Sequence, residues 1–260
     1  MDLSQDRPVV SKIRDFRSFW TELIRSTWVL GVALILLWSI PRFMLVLQAN
    51  QTGSYQWIPL VFLSMWLTPW IFLYKSGRSN IGIRSPRNSM WLVYALILGG
   101  SGCMVMFMVA GYLYGDSISN WFVYIANSYS NVPSDLTRQD RFVYFIIYAV
   151  ISMIFSPIGE ELFYRGVVHH CFRLKWGHKV ASIIDSAAFS ITHLAHFGIV
   201  FYHGQWDLLV IPALVWMTLL FLVCLFFNYA KLKSGSILGA IIAHAGFNLA
   251  MIYFIFYHIM

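Results

Sequence analysis

Long apolar runs separated by short polar segments dominate the chain. Seven of them are about as long as the ~20 residues that a helix needs to cross the hydrocarbon core of a bilayer. These runs cover residues 27–47, 57–74, 90–113, 142–172, 180–200, 208–229 and 237–257. The pattern predicts an all-α, polytopic transmembrane helix bundle with about seven spans. With neither a repeat nor a long linker in the sequence, residues 1–260 are expected to form a single integral membrane domain.

The composition agrees with this pattern. Hydrophobic residues make up 59% of the chain, charged residues only 11%, and the mean hydropathy is +0.67. This leaves too little polar surface for a soluble globular protein, so membrane lipids are the predicted surroundings. The first run follows a charged stretch and lacks a small-residue cleavage site, which indicates a retained helix and not a signal peptide.

The basic residues predict the orientation. The net charge is +7, and 14 of the 18 Lys and Arg residues lie in the amino-terminal segment and in the second, fourth and sixth loops, against 2 in the other loops. By the positive-inside rule the amino terminus is cytoplasmic. This distribution explains the net charge by topology, so a nucleic-acid partner is not expected. The predicted location is a bacterial plasma membrane, or the endoplasmic reticulum if the source is eukaryotic.

The cysteines suggest no special chemistry. Cys103, Cys171 and Cys224 lie in or beside apolar runs without CxxC spacing. They are therefore predicted to be small core residues, and neither a disulfide framework nor a thiolate zinc site is expected.

The segment GEELFYRG places charged residues inside an apolar run, where such residues are costly and are functional candidates by default. Glu161 and Arg165 are four residues apart, so they share a helix face and are expected to pair. Glu160 is then left without a cation, and in a partly desolvated cavity its pKa would rise, which suits a general base. The alternative is that both glutamates form an ion-pair network with Arg165 that only packs helices.

Two later runs repeat the pattern of polar residues at one-turn spacing. FSITH places His193 one turn after Phe189, and HAGFN places Asn248 one turn after His244. An aromatic ring walling a catalytic imidazole is one interpretation, and interhelical hydrogen bonding is the alternative. The last run also carries small residues that would allow close helix approach, namely Gly239, Ala240, Ala243 and Gly246.

Counting residues from the ends of the runs tests whether these groups meet. At 1.5 Å rise per residue, His244 lies roughly 12 Å and His193 roughly 21 Å from the cytoplasmic side, whereas Glu160 lies roughly 28 Å from the outer side. These depths do not coincide. Tilt, or a kink at Pro157, would reconcile them.

Together the motifs resemble the CAAX protease and bacteriocin-processing family (CPBP, or Abi) of intramembrane proteases, which includes the type II CAAX prenyl endopeptidases. The family pattern of EExxxR, FxxxH and HxxxN is filled here, in order, by Glu160, Glu161 and Arg165, by Phe189 and His193, and by His244 and Asn248. The resemblance covers about residues 142–248, and it places the protease core at about residues 142–257.

The resemblance implies peptide-bond hydrolysis inside the membrane, in a cavity that opens toward the cytoplasm. Glu160 and His193 would activate water, while His244 and Asn248 would hold the oxyanion of the tetrahedral intermediate. The supporting residues would be Glu161, Arg165 and Phe189. By the same comparison His196 is an additional histidine without a catalytic role, and His169 and His170 are expected at the cytoplasmic interface.

The family is usually described as a metalloprotease, but the sequence leaves the cofactor open. Glu160, His193 and His244 are possible zinc ligands, although the HExxH motif of soluble zinc proteases is absent. If Glu160 were both ligand and base, another carboxylate would have to accept the proton from water. This conflict favours water held between Glu160 and His193 without a tightly bound metal.

The implied substrate is a membrane-associated peptide or a lipidated protein, such as a prenylated CAAX protein or the precursor of a bacteriocin or signalling peptide. Two other functions remain open. A non-catalytic membrane scaffold or bacteriocin-immunity protein would need no complete set of motifs. A transporter would also bury charged residues, but it predicts inverted repeats in both halves, whereas all the motif residues lie in the carboxyl-terminal half.

Overall fold

The computed structural model describes residues 15–24, 26–129, 132–133 and 135–260, and almost all of its regular structure is helical. The α-helices are α1 (Ser18–Leu23), α2 (Thr27–Thr52), α3 (Ile58–Phe72), α4 (Lys75–Asn80), α5 (Met90–Tyr114), α6 (Trp121–Asn127), α7 (Arg138–Glu160), α8 (His169–Thr192), α9 (Val210–Ser234) and α10 (Ile237–Phe254). A π-helix (Glu161–Val168) joins α7 to α8, a 3-10 turn (His193–Ala195) follows α8, and a second π-helix (Ile255–Ile259) extends α10. The two strands are β1 (Ile199–Tyr202) and β2 (Gln205–Leu208).

The helix bundle confirms the predicted all-α class, and each of the seven apolar runs falls on a helix. Five segments are long and apolar enough to cross a membrane: Thr27–Thr52, Met90–Tyr114, Arg138–Ala195, Val210–Ser234 and Ile237–Ile259. The third holds two of the predicted runs and turns at Gly177, which has a φ of 76°. Helix α3 has only 15 residues. The protein is an integral, multi-pass membrane protein, while the exact number of spans stays a prediction.

The segments that connect the helices lie on two faces of the bundle. The basic face carries segments 73–89, 173–179 and 231–236, and the first and last of these contact each other: Nε of Arg84 donates to the carbonyl of Gly235 over 2.9 Å. The hairpin face carries segments 53–57, 115–129 and 199–208, where the amide of Phe201 donates to the hydroxyl of Tyr124 over 3.0 Å. The predicted sorting of basic loops onto one face therefore holds for the described residues. Arg7, Lys12, Arg14 and Arg25 lie outside them.

Helices α5 and α10 pack closely through glycine. A Cβ atom added to Gly99 would overlap the carbonyl group of Ala243, and one added to Gly246 would overlap that of Leu96. Small residues allow two membrane helices to approach until their backbones touch. The close helix approach expected from the small residues of the last run is thus confirmed, and it fixes the helix that carries His244.

The hairpin was missed by the sequence analysis. The apolar run 180–200 predicts a helix through Val200, but the helical stretch ends at Ala195 and the chain then pairs as two antiparallel strands. His203 (φ 48°) and Gly204 (φ 78°) form the two-residue turn. Positive φ at both positions matches the twist of the strands, which the hydrophobic pattern alone does not reveal.

Candidate active site

The two glutamates lie where α7 gives way to the π-helix. Glu160 is the last residue of α7 and Glu161 the first of the π-helix, and both side chains are buried. Nη1 of Arg165 donates to Oε1 of Glu161 over 3.1 Å, which confirms the pair predicted from their spacing. The wider turn of a π-helix is frequent at functional sites. Here it places two adjacent carboxylates and an arginine in the interior of the bundle.

Glu160 is also paired, contrary to the prediction that it would lack a cation. Oε1 of Glu160 lies 2.6 Å from Nη2 of Arg42, a residue of α2 that is only 1% exposed. Helical spacing identifies only the local partner of a glutamate, and Arg42 lies more than 100 residues away in the chain. The site therefore contains two buried ion pairs, one for each glutamate.

Hydrogen bonds fix the tautomer of His193. Its Nδ1 lies 2.7 Å from the carbonyl oxygen of Phe189, which can only accept, so Nδ1 carries the proton. The lone pair of Nε2 then accepts from Nη2 of Arg42 over 3.1 Å. The ring of Phe189 stacks on that of His193 with centroids 4.1 Å apart, and on its other side it contacts the guanidinium of Arg165. Phe189 thus forms the predicted wall beside the imidazole.

His244 is oriented in the same way by Glu161. Its Nδ1 lies 2.9 Å from Oε1 of Glu161, and a carboxylate can only accept, so Nδ1 donates and Nε2 keeps its lone pair. That Nε2 atom lies 3.8 Å from Oε2 of Glu160. The amide nitrogen of Asn248 donates to the carbonyl of Ser152 over 2.8 Å and to Oγ of Ser156 over 3.3 Å. The motif residues of three separate helices therefore share one site.

The geometry allows a test of the possible zinc ligands. The Nε2 lone pairs of His193 and His244 lie 3.9 and 3.8 Å from the carboxylate of Glu160. However, Nη2 of Arg42 lies beside two of the three ligands, and its positive charge opposes the binding of a metal cation there. No group of three or more His, Cys, Asp or Glu side chains in the described parts of the chain is arranged to hold a metal ion. The donor set does not fit a metal centre in this arrangement.

A further acid that the sequence analysis did not single out supports Arg165. Oδ1 of Asp185 in α8 lies 3.7 Å from Nε of Arg165, and the amide of Asn228 donates to the same oxygen over 2.9 Å. Oδ2 of Asp185 accepts from Nδ1 of His169 over 2.7 Å. Both His169 and His170 are buried within the protein, and their expected position at the cytoplasmic interface stays a prediction. They belong to a polar network on the basic-face side of the site, where Asp15 binds His170.

A cavity of about 510 Å³ adjoins the site. Arg42, Glu160, His193 and His244 form its polar part, and aliphatic and aromatic side chains form most of the remaining wall. Those of α7 and α10 lie on the hairpin-face side of the catalytic motifs: Ile151, Phe155, Met251 and Ile252. Tyr55 and Tyr129 also line it, and burial raises the pKa of both phenols above the ordinary value, so both remain protonated at neutral pH.

The cavity lies between the catalytic motifs and the hairpin face. It extends from Glu160 toward the hairpin face, because Ser128 and Tyr55 of that face line it. The charge distribution assigns the hairpin face to the outside of the membrane, whereas the family resemblance implied a cytoplasmic opening. The orientation of the bundle and the side on which the cavity opens both stay predictions.

Comparison with known proteins supports the family resemblance. Residues 142–250 match the family model of the type II CAAX prenyl endopeptidases, described as Rce1-like. The matched segment begins in α7 and ends in α10, so it includes all seven motif residues but not Arg42. The searches of curated proteins and of solved structures found no significant match.

Proposed function

We propose that this membrane protein, whose residues 142–250 form an Rce1-like protease domain, hydrolyses peptide bonds with a water molecule activated by Glu160. The observation that carries this proposal is the position of Glu160. Its carboxylate lies at the polar end of the cavity, beside the Nε2 lone pairs of His193 and His244. A carboxylate flanked by hydrogen-bond acceptors can hold a water molecule and take its proton. Replacement of Glu160, with cleavage measured directly, tests the proposal.

The gap between Glu160 and His244 is the favoured position for the water. Nη2 of Arg42 occupies the space between Glu160 and His193, where the sequence analysis placed the water. On the other side, Oε2 of Glu160 and Nε2 of His244 are 3.8 Å apart, and both can accept a proton of one water molecule. His193 then orients Arg42 by accepting its hydrogen bond.

During the reaction Glu160 carries one proton from water to the leaving nitrogen. As the oxygen of water bonds to the peptide carbon, its proton passes to Glu160 and the carbonyl electron pair moves onto the peptide oxygen. When the carbon–nitrogen bond breaks, Glu160 returns the proton to the leaving nitrogen. The products are a new carboxyl group and a new amino group. Glu161 takes no part in the transfer, because it already accepts from Arg165 and His244.

The reaction is proposed to need no metal, because Arg42 already supplies the positive charge beside Glu160. After treatment with a strong chelator, the purified protein should keep its full activity at negligible metal content by elemental analysis. A sample treated with the same chelator preloaded with zinc is the matched control. Inactivation by the chelator that stoichiometric zinc reverses would contradict the metal-free mechanism.

The cavity indicates the class of substrate. Its mainly aliphatic and aromatic wall favours apolar side chains or a lipid chain next to the scissile bond. The proposed substrates are therefore membrane-associated or lipidated peptides and proteins. Peptides that change in abundance in membranes from cells lacking the protein would identify them.

Substrates are proposed to enter from the non-cytoplasmic side, because the cavity extends toward the hairpin face and the positive charges lie on the other face. Cysteines introduced at exposed Gln205 and at Ser128 in the cavity should react with a membrane-impermeant thiol reagent in intact cells. A cysteine at exposed Lys233 should react only after permeabilisation. The three native cysteines are buried, as predicted, and provide a low background.

Modification of Ser128→Cys from outside should also block cleavage, since Ser128 lines the cavity. Labelling of Lys233→Cys alone in intact cells would reverse the orientation and place the opening in the cytoplasm. Unchanged cleavage after complete modification at Ser128 would show that substrates reach Glu160 by another route.

A further inference from the structure

Arg42 has hydrogen-bonding capacity that its contacts do not use. Its Nη2 atom contacts Glu160 and donates to His193 and to Nε2 of His196, at 2.6, 3.1 and 3.3 Å. Its Nε and Nη1 atoms are buried and have no hydrogen-bond partner among the described residues. Such unsatisfied buried donors are rare and costly in folded proteins. Because Arg42 lines the cavity, an acceptor on a bound substrate can satisfy them.

The residues expected to stabilise the oxyanion are already engaged. Both amide protons of Asn248 have acceptors, in Ser152 and Ser156. His244 gives its single proton to Glu161 and presents a lone pair to the cavity. A negatively charged oxygen needs donors, and neither side chain offers one in this arrangement.

The charges of the reaction point to the same residue. Before the reaction, Arg42 and Glu160 form a neutral pair. When Glu160 accepts the proton of water it becomes neutral, so Arg42 loses its counter-ion just as negative charge develops on the peptide oxygen. In a site with little water, the attraction between that oxygen and the guanidinium is strong. Arg42 therefore interacts more strongly with the transition state than with the bound substrate, which is the condition for catalysis.

We propose that Arg42 is a catalytic residue that donates hydrogen bonds from Nε or Nη1 to the oxyanion of the tetrahedral intermediate. This inference rests on the proposed peptidase function. It places one essential group on α2, outside the matched segment 142–250. His193 and His196 hold the guanidinium in place by accepting from Nη2, which leaves the other two donor atoms for the substrate.

The test measures kcat and KM for Arg42→Gln and Arg42→Lys with one membrane peptide substrate. Removal of one oxyanion donor typically costs ~100-fold or more in kcat, so we expect a loss of this size for Arg42→Gln with little change in KM. Arg42→Lys retains a charge for Glu160 but not the second arm of the guanidinium, and it should lose at least ~10-fold. Exposed Arg84, which donates to Gly235 on the basic face, gives the control Arg84→Gln with unchanged kinetics.

A pH profile separates direct catalysis from an indirect effect on Glu160. If Arg42 only kept Glu160 ionised, raising the pH would restore the rate of Arg42→Gln. An oxyanion donor predicts a loss of rate that persists at high pH, together with a matching loss of affinity for a phosphinate peptide that mimics the tetrahedral intermediate. Recovery at high pH, or unchanged phosphinate affinity, would overturn the proposal.

The two Arg42 variants allow the proposal to be tested even if one of them does not fold. Should Arg42→Gln lose its monodisperse peak in size-exclusion chromatography, Arg42→Lys decides, and wild-type kcat in that variant would refute the role of Arg42. Wild-type protein that cleaves no membrane peptide would instead count against the proposed peptidase function itself.

Discussion

Replacing Glu160 with Gln should lower the turnover of a membrane peptide by ~100-fold or more, because the amide keeps the shape of the side chain but cannot accept a proton from water. The measurement is the rate of peptide cleavage by the purified protein, with the membrane peptidome of cells that carry the variant as a second readout. Cleavage at a rate comparable to wild type would remove Glu160 from the role of general base.

The ion pair with Arg42 calls for a second variant. Glu160→Gln also removes the counter-ion of a buried arginine, so a drop in the melting temperature is expected alongside the drop in rate. In the double variant Glu160→Gln, Arg42→Gln the charge imbalance is gone, and the melting temperature should recover while the activity remains lost. Recovery of activity in the double variant would mean that the single variant failed through its unpaired charge and not through the missing base.

Helical periodicity was sufficient to identify most of the site. The four-residue spacings of Glu161 and Arg165 and of Phe189 and His193 predict shared faces, and the structure shows both pairs in contact. Spacing works here because a membrane helix has a regular geometry with all of its backbone hydrogen bonds internal. Which helices would face one another did not follow from spacing, but it followed from the combination of motifs that resembles the protease family.

Arg42 and Asp185 show what local patterns miss. Each is a charged residue inside an apolar run, and that signal alone makes an intramembrane residue a functional candidate. Neither belongs to a one-turn motif, and the partners of Arg42 lie at the end of α7 and in the 3-10 turn after α8, far away in the sequence. A search for every charge within the predicted spans, and not only for spaced pairs, would have found both residues. It would not have shown which residues each one contacts.

The depths predicted by counting residues disagreed with one another because the count assumed straight helices. Counting residues placed Glu160, His193 and His244 at three different levels, yet the side chains of His193 and His244 each lie within 4 Å of Glu160. A π-helix begins at Glu161, Pro157 lies inside α7, and Gly177 interrupts the helical stretch before His193. Each of these features changes the rise or direction of the chain, and the hydrophobic pattern reports none of them.

Replacing Glu161 with Gln should damage folding as well as catalysis. Glu161 and Arg165 are both fully buried, and Oε1 of Glu161 accepts from Arg165 and from His244. Removing one partner of a buried ion pair leaves an uncompensated charge and typically costs about 3 kcal/mol or more. Asp185 is 3.7 Å from Nε of Arg165 and compensates only in part. The expected result is a clearly lower melting temperature of the purified protein, with less protein recovered from the membrane.

The matched control for this prediction is Glu22→Gln, the same substitution at an exposed position of α1. A surface substitution of this kind is expected to change stability by no more than about 0.5 kcal/mol. Combining each variant with Arg42→Gln distinguishes the role of Glu160 from that of Glu161. Glu160→Gln should abolish the reaction in a protein whose stability Arg42→Gln restores, whereas Glu161→Gln should remain unstable in that background because its partner is Arg165. Wild-type stability of Glu161→Gln would mean that Asp185 alone balances Arg165, and Glu161 would then serve only to fix the tautomer of His244.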